Sequence, residues 1–347
     1  MACATGSDTA HSSADAESDS QSKLRKNYEK EQSMSNKNAV YFFCNNLSED
    51  PVALHVYDSL CQERELEQTD LVIDGNPVQK AHDRHGNTLH FVRIDKVLSH
   101  DYPRYLPMLQ EHFGHMDFAG VVNWHEGANA PENILCAHTT ADIPSGAFGT
   151  ADPKTLRNLL IGLDKHRKEL SLDDFTVLTE ATHWSGIPHG GDPMLITEYK
   201  VPVVDIEIGS SPECWNNSEA AKALGRSLFD IFDTEYTSGK SLLCVGGMHF
   251  DSTFRDAVFN EESPEPLLVS HILPNQWVVS GAYDNHQGLD RLHACVQSIV
   301  GGVDGIVFHD KLKGNYKERL RELSEELSIP IFKHKALRNP SSLPFFC

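Results

Sequence analysis

From residue 39 onward, short apolar runs of strand length alternate with amphipathic stretches of helix length. The apolar runs fall at 39–44, 71–74, 89–94, 118–123, 134–137, 175–180, 202–208, 242–246 and 305–308. Helical spacing is clearest at 153–168, 218–232, 288–300 and 315–327, with Ser218 and Asn315 as expected N-caps and Pro330 as the expected stop. Alternating strand-length and helix-length segments predict an α/β fold, because each strand then has a neighbouring helix to cover its apolar face. Residues 1 to about 36 are rich in Ser, Ala, Asp, Glu and Lys and show no apolar period. They read as a disordered tail, so the expected organisation is a tail, 1–36, and one α/β domain, 37–347.

Composition narrows the function classes. The 347 residues are 39% hydrophobic, enough to bury a large core. No apolar stretch reaches the roughly 18 residues a membrane span needs. Residues 1–22 lack the basic start and apolar run of a signal peptide, which leaves the cytosol as the expected compartment. The eight cysteines are scattered without a CxxC pair, and Cys44 and Cys244 sit inside apolar runs, so buried reduced thiols are expected. A formal charge of −20 repels polyanions, and an RNA partner would need a local basic surface. The candidate is 305–340, where eight Lys/Arg face five Asp/Glu, although a solvated amphipathic helix explains that balance equally well. No internal repeat, Gly-rich phosphate loop or G-x-S-x-G elbow is present.

The nineteen histidines carry the chemistry by their placement. His125, His183, His249 and His309 each follow an apolar run, and residues just past the carboxyl ends of parallel strands tend to meet in a ligand crevice. The first cluster is Glu180-Ala-Thr-His183 continuing to His189 and Asp192, which offers metal ligands or a general base because neutral imidazole does both near neutral pH. The second is Gly246-Gly247-Met248-His249-Phe250-Asp251, where paired glycines allow positive φ and backbone amides could hold an oxyanion. A third, Trp124-His125-Glu126 with His138 one strand later, reads as a base and partner or as a wet loop. His271, inside Ser270-His271-Ile272-Leu273, reads more simply as a satisfied core histidine.

Taken in order, these segments resemble the archaeal and plant family of D-aminoacyl-tRNA deacylases. The run 175–183, ending Glu180-Ala181-Thr182-His183, is similar to the family's TLEATHHGP segment, and Glu207-Ile208-Gly209-Ser210 with Trp215 resembles FLEIGSTEEYW. Gly246-Gly247-Met248-His249-Phe250, Val269–His271 with Ile272 and Leu273, and His309-Asp-Lys311-Leu-Lys313-Gly314 resemble three later motifs. Trp184, Trp124 and Asp251 depart from it, standing where the family has a histidine, an arginine and an alanine.

The resemblance implies a phosphorylase/hydrolase-like mixed sheet between helices, zinc, and hydrolysis of the ester joining a D-amino acid to the tRNA 3′ end. Carried onto matching residues, it assigns His183, His249 and Glu180 to catalysis, His183, His189 and His249 to the metal, and Gly246, Gly247, Glu207, Ser210, His125 and His271 to the substrate. Two other readings stay open on the same scaffold. One is a metal-dependent hydrolase of a small ester or amide, favoured by the acidic charge and the missing arginine. The other is a catalytically inactive binding protein, in which Trp184 closes the pocket.

Overall fold

A computed structural model describes residues 36–127, 130–233 and 238–346, and Asn38–Cys347 form one compact unit. Except for Asn36, the expected tail lies outside the described residues. The strands are β1 (Asn38–Cys44), β2 (Glu67–Ile73), β3 (Asn76–His82), β4 (Thr88–Ile94), β5 (Phe118–His125), β6 (Ile134–Thr139) and β7 (Ala141–Asp142). They continue with β8 (Ala147–Phe148), β9 (Thr176–Thr179), β10 (Val203–Gly209), β11 (Lys240–Val245), β12 (Leu267–Leu273), β13 (Gly305–Phe308) and β14 (Ile331–Lys333).

Eight strands form a mixed sheet in the order β2-β3-β4-β1-β5-β10-β6-β9, and four form a smaller sheet, β12-β11-β13-β14. In the large sheet β4, β1, β5 and β10 run parallel, and β6 is antiparallel to β10 but parallel to β9. The small sheet is parallel throughout. The two sheets are stitched together where the Thr182 amide donates to the Ile272 carbonyl and the Ala181 amide to that of His249.

Period-two patterning sorts the large sheet into two faces. Tyr41, Phe43, Val122, Leu135, Ala137, Val204, Ile206 and Ile208 point into one core with residues of helices Ala53–Glu63, Pro153–Glu169 and Ser218–Ser227. Val40, Phe42, Val92, Ala119 and Val121 point the other way, against helix Tyr102–Phe113. The mixed α/β architecture with helices flanking the sheet is the one the alternation predicts.

The expected caps move by one or two residues. Asn217, not Ser218, caps its helix, because its extended backbone lets the carboxamide accept from the Glu219 and Ala220 amides. That helix ends at Ser227 and tightens into a 3₁₀ turn at Leu228–Asp230 instead of running to 232. The last helix, Gly314–Leu327, begins at Lys313 without a side-chain cap, since Asn315 bonds to Asp284 at 2.7 Å. Its end is set by left-handed Ser328, ahead of Pro330. Among the described residues no helix is long and apolar enough to cross a membrane, and the six described cysteines are free, five of them buried.

Candidate active site

On the second face of the sheet the apolar pattern breaks into polar residues as β5, β10 and β6 run side by side. Asn123 and His125 of β5, Asp205 and Glu207 of β10, and Cys136 and His138 of β6 occupy alternate positions, with Glu207 in register between Asn123 and Cys136. All six are buried, and their apolar neighbours in sequence fill the opposite core. Above this floor, at the carboxyl ends of β1, β4, β5 and β10, opens a cavity of about 740 Å³. The segments after β9 and β11 reach into it with Glu180, His183 and His249. The expected convergence at strand ends therefore includes His125, His183 and His249. His309 stands apart on the small sheet, stacked on His334 at 4.0 Å.

Glu180 is the hub. Its Oε1 accepts from His249 Nε2 at 2.5 Å, lies 3.5 Å from His125 Nε2 and 3.7 Å from His183 Nδ1. Burial pushes its carboxyl up, but His138, His183, His125 and His249 outweigh that and hold it well below the usual carboxylate range. Burial and the neighbouring Glu180 charge lift Glu207 to about 7. Burial opposes a charge on His138, yet Glu180 and Glu207 raise it to about 10. His183 stacks on His138 at 3.8 Å, and burial together with that neighbour's charge pushes it down to about 3. The site thus holds an ionised Glu180 beside a charged His138 and a neutral His183.

Hydrogen bonding also sets the tautomer of His125. Ser210 Oγ donates its one proton to the Pro131 carbonyl at 3.0 Å, so at 3.0 Å from His125 Nδ1 it can only accept. Nδ1 therefore carries one hydrogen, and although burial opposes it, Glu180 beside Nε2 favours a second proton there and raises His125 above its usual range. Glu180 Oε2 is itself buried without a hydrogen-bond partner. The donor atoms of His125, Glu180 and His249 lie within 4.8 Å of one another, as do those of His138, Glu180 and His183. Imidazole nitrogen with carboxylate oxygen is a donor set that zinc accepts, and Ser210 is the outer partner such a histidine ligand requires.

Several expected site residues stand outside the Glu180 cluster. His189 is exposed and stacks on His100 at 3.6 Å, so it joins neither donor group, and the set His183, His189, His249 does not assemble. His271 is sealed in the core between Thr139 and Ser298, which removes it from contact with substrate. The Gly246 amide donates to the Leu273 carbonyl at 2.7 Å, so it is not available to an oxyanion. Both glycines supply positive φ, 94° at Gly246 and 83° at Gly247, in a turn where a Cβ would strike His309 and Asp251. Asp251 caps helix Ser252–Val258 by accepting from the Thr253 amide. Trp184 packs edge-on against Tyr102 in the core and leaves the cavity open, whereas Trp124 lines it.

Asn123, Cys136 and Asp205 were not among the expected site residues. Their signal is a polar residue at every second place within an otherwise apolar strand, as in Val204-Asp205-Ile206-Glu207-Ile208.

A mixed-sheet α/β protein with a buried carboxylate among imidazoles, set at the ends of parallel strands, is the class this fold and site define. The chain belongs to the D-aminoacyl-tRNA deacylase family, whose sequence profile matches residues 112–332. It is 25% identical over 292 residues to a D-aminoacyl-tRNA deacylase of Pyrococcus abyssi, covering 82% of this chain and 96% of that protein. A D-aminoacyl-tRNA deacylase of Thermococcus onnurineus is 24% identical over 294 residues, with the same coverage of 82% and 96%. The fold is shared with a crystal structure of a conserved protein of unknown function, at a TM-score of 0.66 and 16% identity over 88% of this chain and 97% of that one.

Proposed function

We propose that this chain hydrolyses the ester between a D-amino acid and the 3′ end of tRNA, recycling mischarged tRNA in the cytosol. The observation that carries this reading is the Glu180–His249 pair on the floor of an open cavity, within a chain of this family. Ester hydrolysis needs a water stripped of a proton and a stabiliser for the charge that develops on the carbonyl oxygen. With Nε2–H donated to Glu180, the other nitrogen of His249 offers the lone pair that takes the water's proton. Ionised Glu180 then holds the resulting imidazolium, as a buried carboxylate does in other carboxylate–histidine pairs. The charged His138 ring supplies positive potential beneath the site, and Glu207 lines the cavity that receives the substrate.

His125, Glu180 and His249 are the residues that would hold zinc, by their donor atoms and the unpartnered Glu180 Oε2. A zinc ion there would supply a Lewis acid and lower the pKa of bound water, taking the place of proton removal by His249. The test is release of D-tyrosine and L-tyrosine from charged tRNA by purified protein, with and without a zinc chelator. D-selective, chelator-sensitive release is expected. No release of D-tyrosine overturns the reading, and release indifferent to the chelator overturns the zinc part alone.

The charge of −20 favours a second reading, hydrolysis of a small ester or amide. Salt separates the two: the affinity of a tRNA enzyme for its substrate falls steeply as salt rises, and that of a small-substrate enzyme barely changes.

A further inference from the structure

The cavity has two chemically different sides. Its floor carries carboxylates and imidazoles, whereas the side built by the segments after β4 and β9, with the end of β5, is aromatic. His100 and His189 stack with ring centroids 3.6 Å apart and planes 20° from parallel. Trp124 meets His100 edge-on at 6.2 Å. All three line the cavity, and His189 is exposed.

This wall is held in place. Ser99 Oγ and Ser185 Oγ lie 2.7 Å apart, joining the segment before His100 to the one that leads to His189. Buried Trp184 anchors that segment from below, and a side chain at Gly186 or Gly191 would collide with its indole ring. Among the described residues that line the cavity the one lysine or arginine is Lys96, and it is paired with Glu49 at 3.2 Å. Burial and the neighbouring His189 push His100 down to about 4, so the stacked pair is not repelled by a second charge at neutral pH. An aromatic surface with no free cation beside it, and with the carboxylates Asp101 and Glu126 on the same cavity lining, favours a flat π system over a phosphate. The 740 Å³ of the cavity also far exceeds the roughly 30 Å³ of a hydrolytic water and falls within the range of small-molecule sites.

We propose that His100, His189 and Trp124 form a stacking platform for the base of the substrate's terminal nucleoside, with the ester placed over Glu180 and His249. The identity of that nucleoside, the 3′ adenosine of tRNA, rests on the deacylase reading above; the stacking platform itself does not.

The experiment is calorimetric titration of the full chain with adenosine, with ribose as a control. Adenosine binding is expected without ribose binding. His189→Ala and Trp124→Ala should each weaken it by about tenfold, as loss of one base-stacking contact does. Trp124→Phe should stay within about threefold of the wild type, because it keeps an aromatic face. Absence of adenosine binding by the wild type, unchanged binding by both alanine variants, or a Phe variant as weak as Ala overturns the platform. Binding is read without turnover, so the two ideas fail separately. Adenosine binding without D-tyrosine release sinks the deacylase reading, and release without adenosine binding sinks the platform.

Discussion

His249 and His271 are both supplied by the small sheet and its loops, and both reach across to the large one, yet their chemistry diverges. His271 sits inside β12 with no exposed surface, and its ring nitrogens lie 2.8 Å from Thr139 Oγ1 and 3.0 Å from Ser298 Oγ. Ser298 donates to the Cys295 carbonyl, so it must accept from His271 Nε2, while Thr139 stands at Nδ1 and burial without a charged partner keeps the ring neutral. His249 lies past β11 with 32% of its side chain exposed and an ionised carboxylate as partner. A histidine becomes a reagent when one side meets a charge and the other meets solvent. Closed off by hydroxyls on both sides, it becomes a structural tie.

Removing the carboxylate breaks the comparison most directly. Glu180→Gln keeps the shape but takes away the charge that holds an imidazolium. It should lower D-tyrosine release from charged tRNA by about 100-fold or more, the usual scale of acid–base catalysis. A rate within about threefold of wild type would falsify the role given to Glu180. His271→Ala should do the reverse. Loss of buried partners for Thr139 and Ser298, with a cavity left behind, should cost about 2–4 kcal/mol in urea unfolding, while kcat of the folded fraction stays within about twofold.

Acid sharpens the same contrast. Burial holds His271 at about 3, against 6.5 for the free side chain, and no charged group contributes to that shift. The folded state therefore binds fewer protons than the unfolded state below the free value. Stability is full above 6.5 and declines as the pH falls toward the folded value of about 3. Between about pH 7.5 and about pH 4.5 this one ring should remove roughly 2–3 kcal/mol. Urea midpoints for His271→Gln should fall less over that interval than those of wild type; parallel curves would mean that the ring is not held neutral.

What the sequence made legible follows from range. β1 is a continuous apolar run from Ala39, and β4, β5 and β10 keep apolar residues at alternate or successive places, so all four were readable without their partners. Of the hairpin of β2 and β3 only the run 71–74 was read, since the rest of Glu67–Ile73 is largely exposed and polar and pairing with β3, itself paired with β4, makes it a strand. His125, Glu180, His183 and His249 were readable from their place after strands. Asp205 and Cys136 show only as polar places within apolar strands, and that they meet depends on β6 running antiparallel beside β10, a neighbour relation that no local spacing encodes. The paired glycines at 246 and 247 signal an unusual backbone, which their positive φ matches, whereas the bond that takes the Gly246 amide to the Leu273 carbonyl depends on a partner that no local spacing encodes.

Asp251 gives the smallest and finest test, because it lies on the loop that carries His249 and yet belongs to the structural side of the comparison. Its carboxylate accepts from the Thr253 amide at 3.0 Å and lies 3.7 Å from His309 Nε2, away from the cavity. Asp251→Ala should therefore cost about 1 kcal/mol of stability, the usual value of an N-cap, and Asp251→Ser should recover most of it, since serine caps nearly as well. Turnover should stay within about twofold in both. If instead the serine variant folds as stably as wild type and still loses most of its rate, the carboxylate acts on the reaction through His249, and the line between reagent and tie would have to be drawn on the far side of this loop.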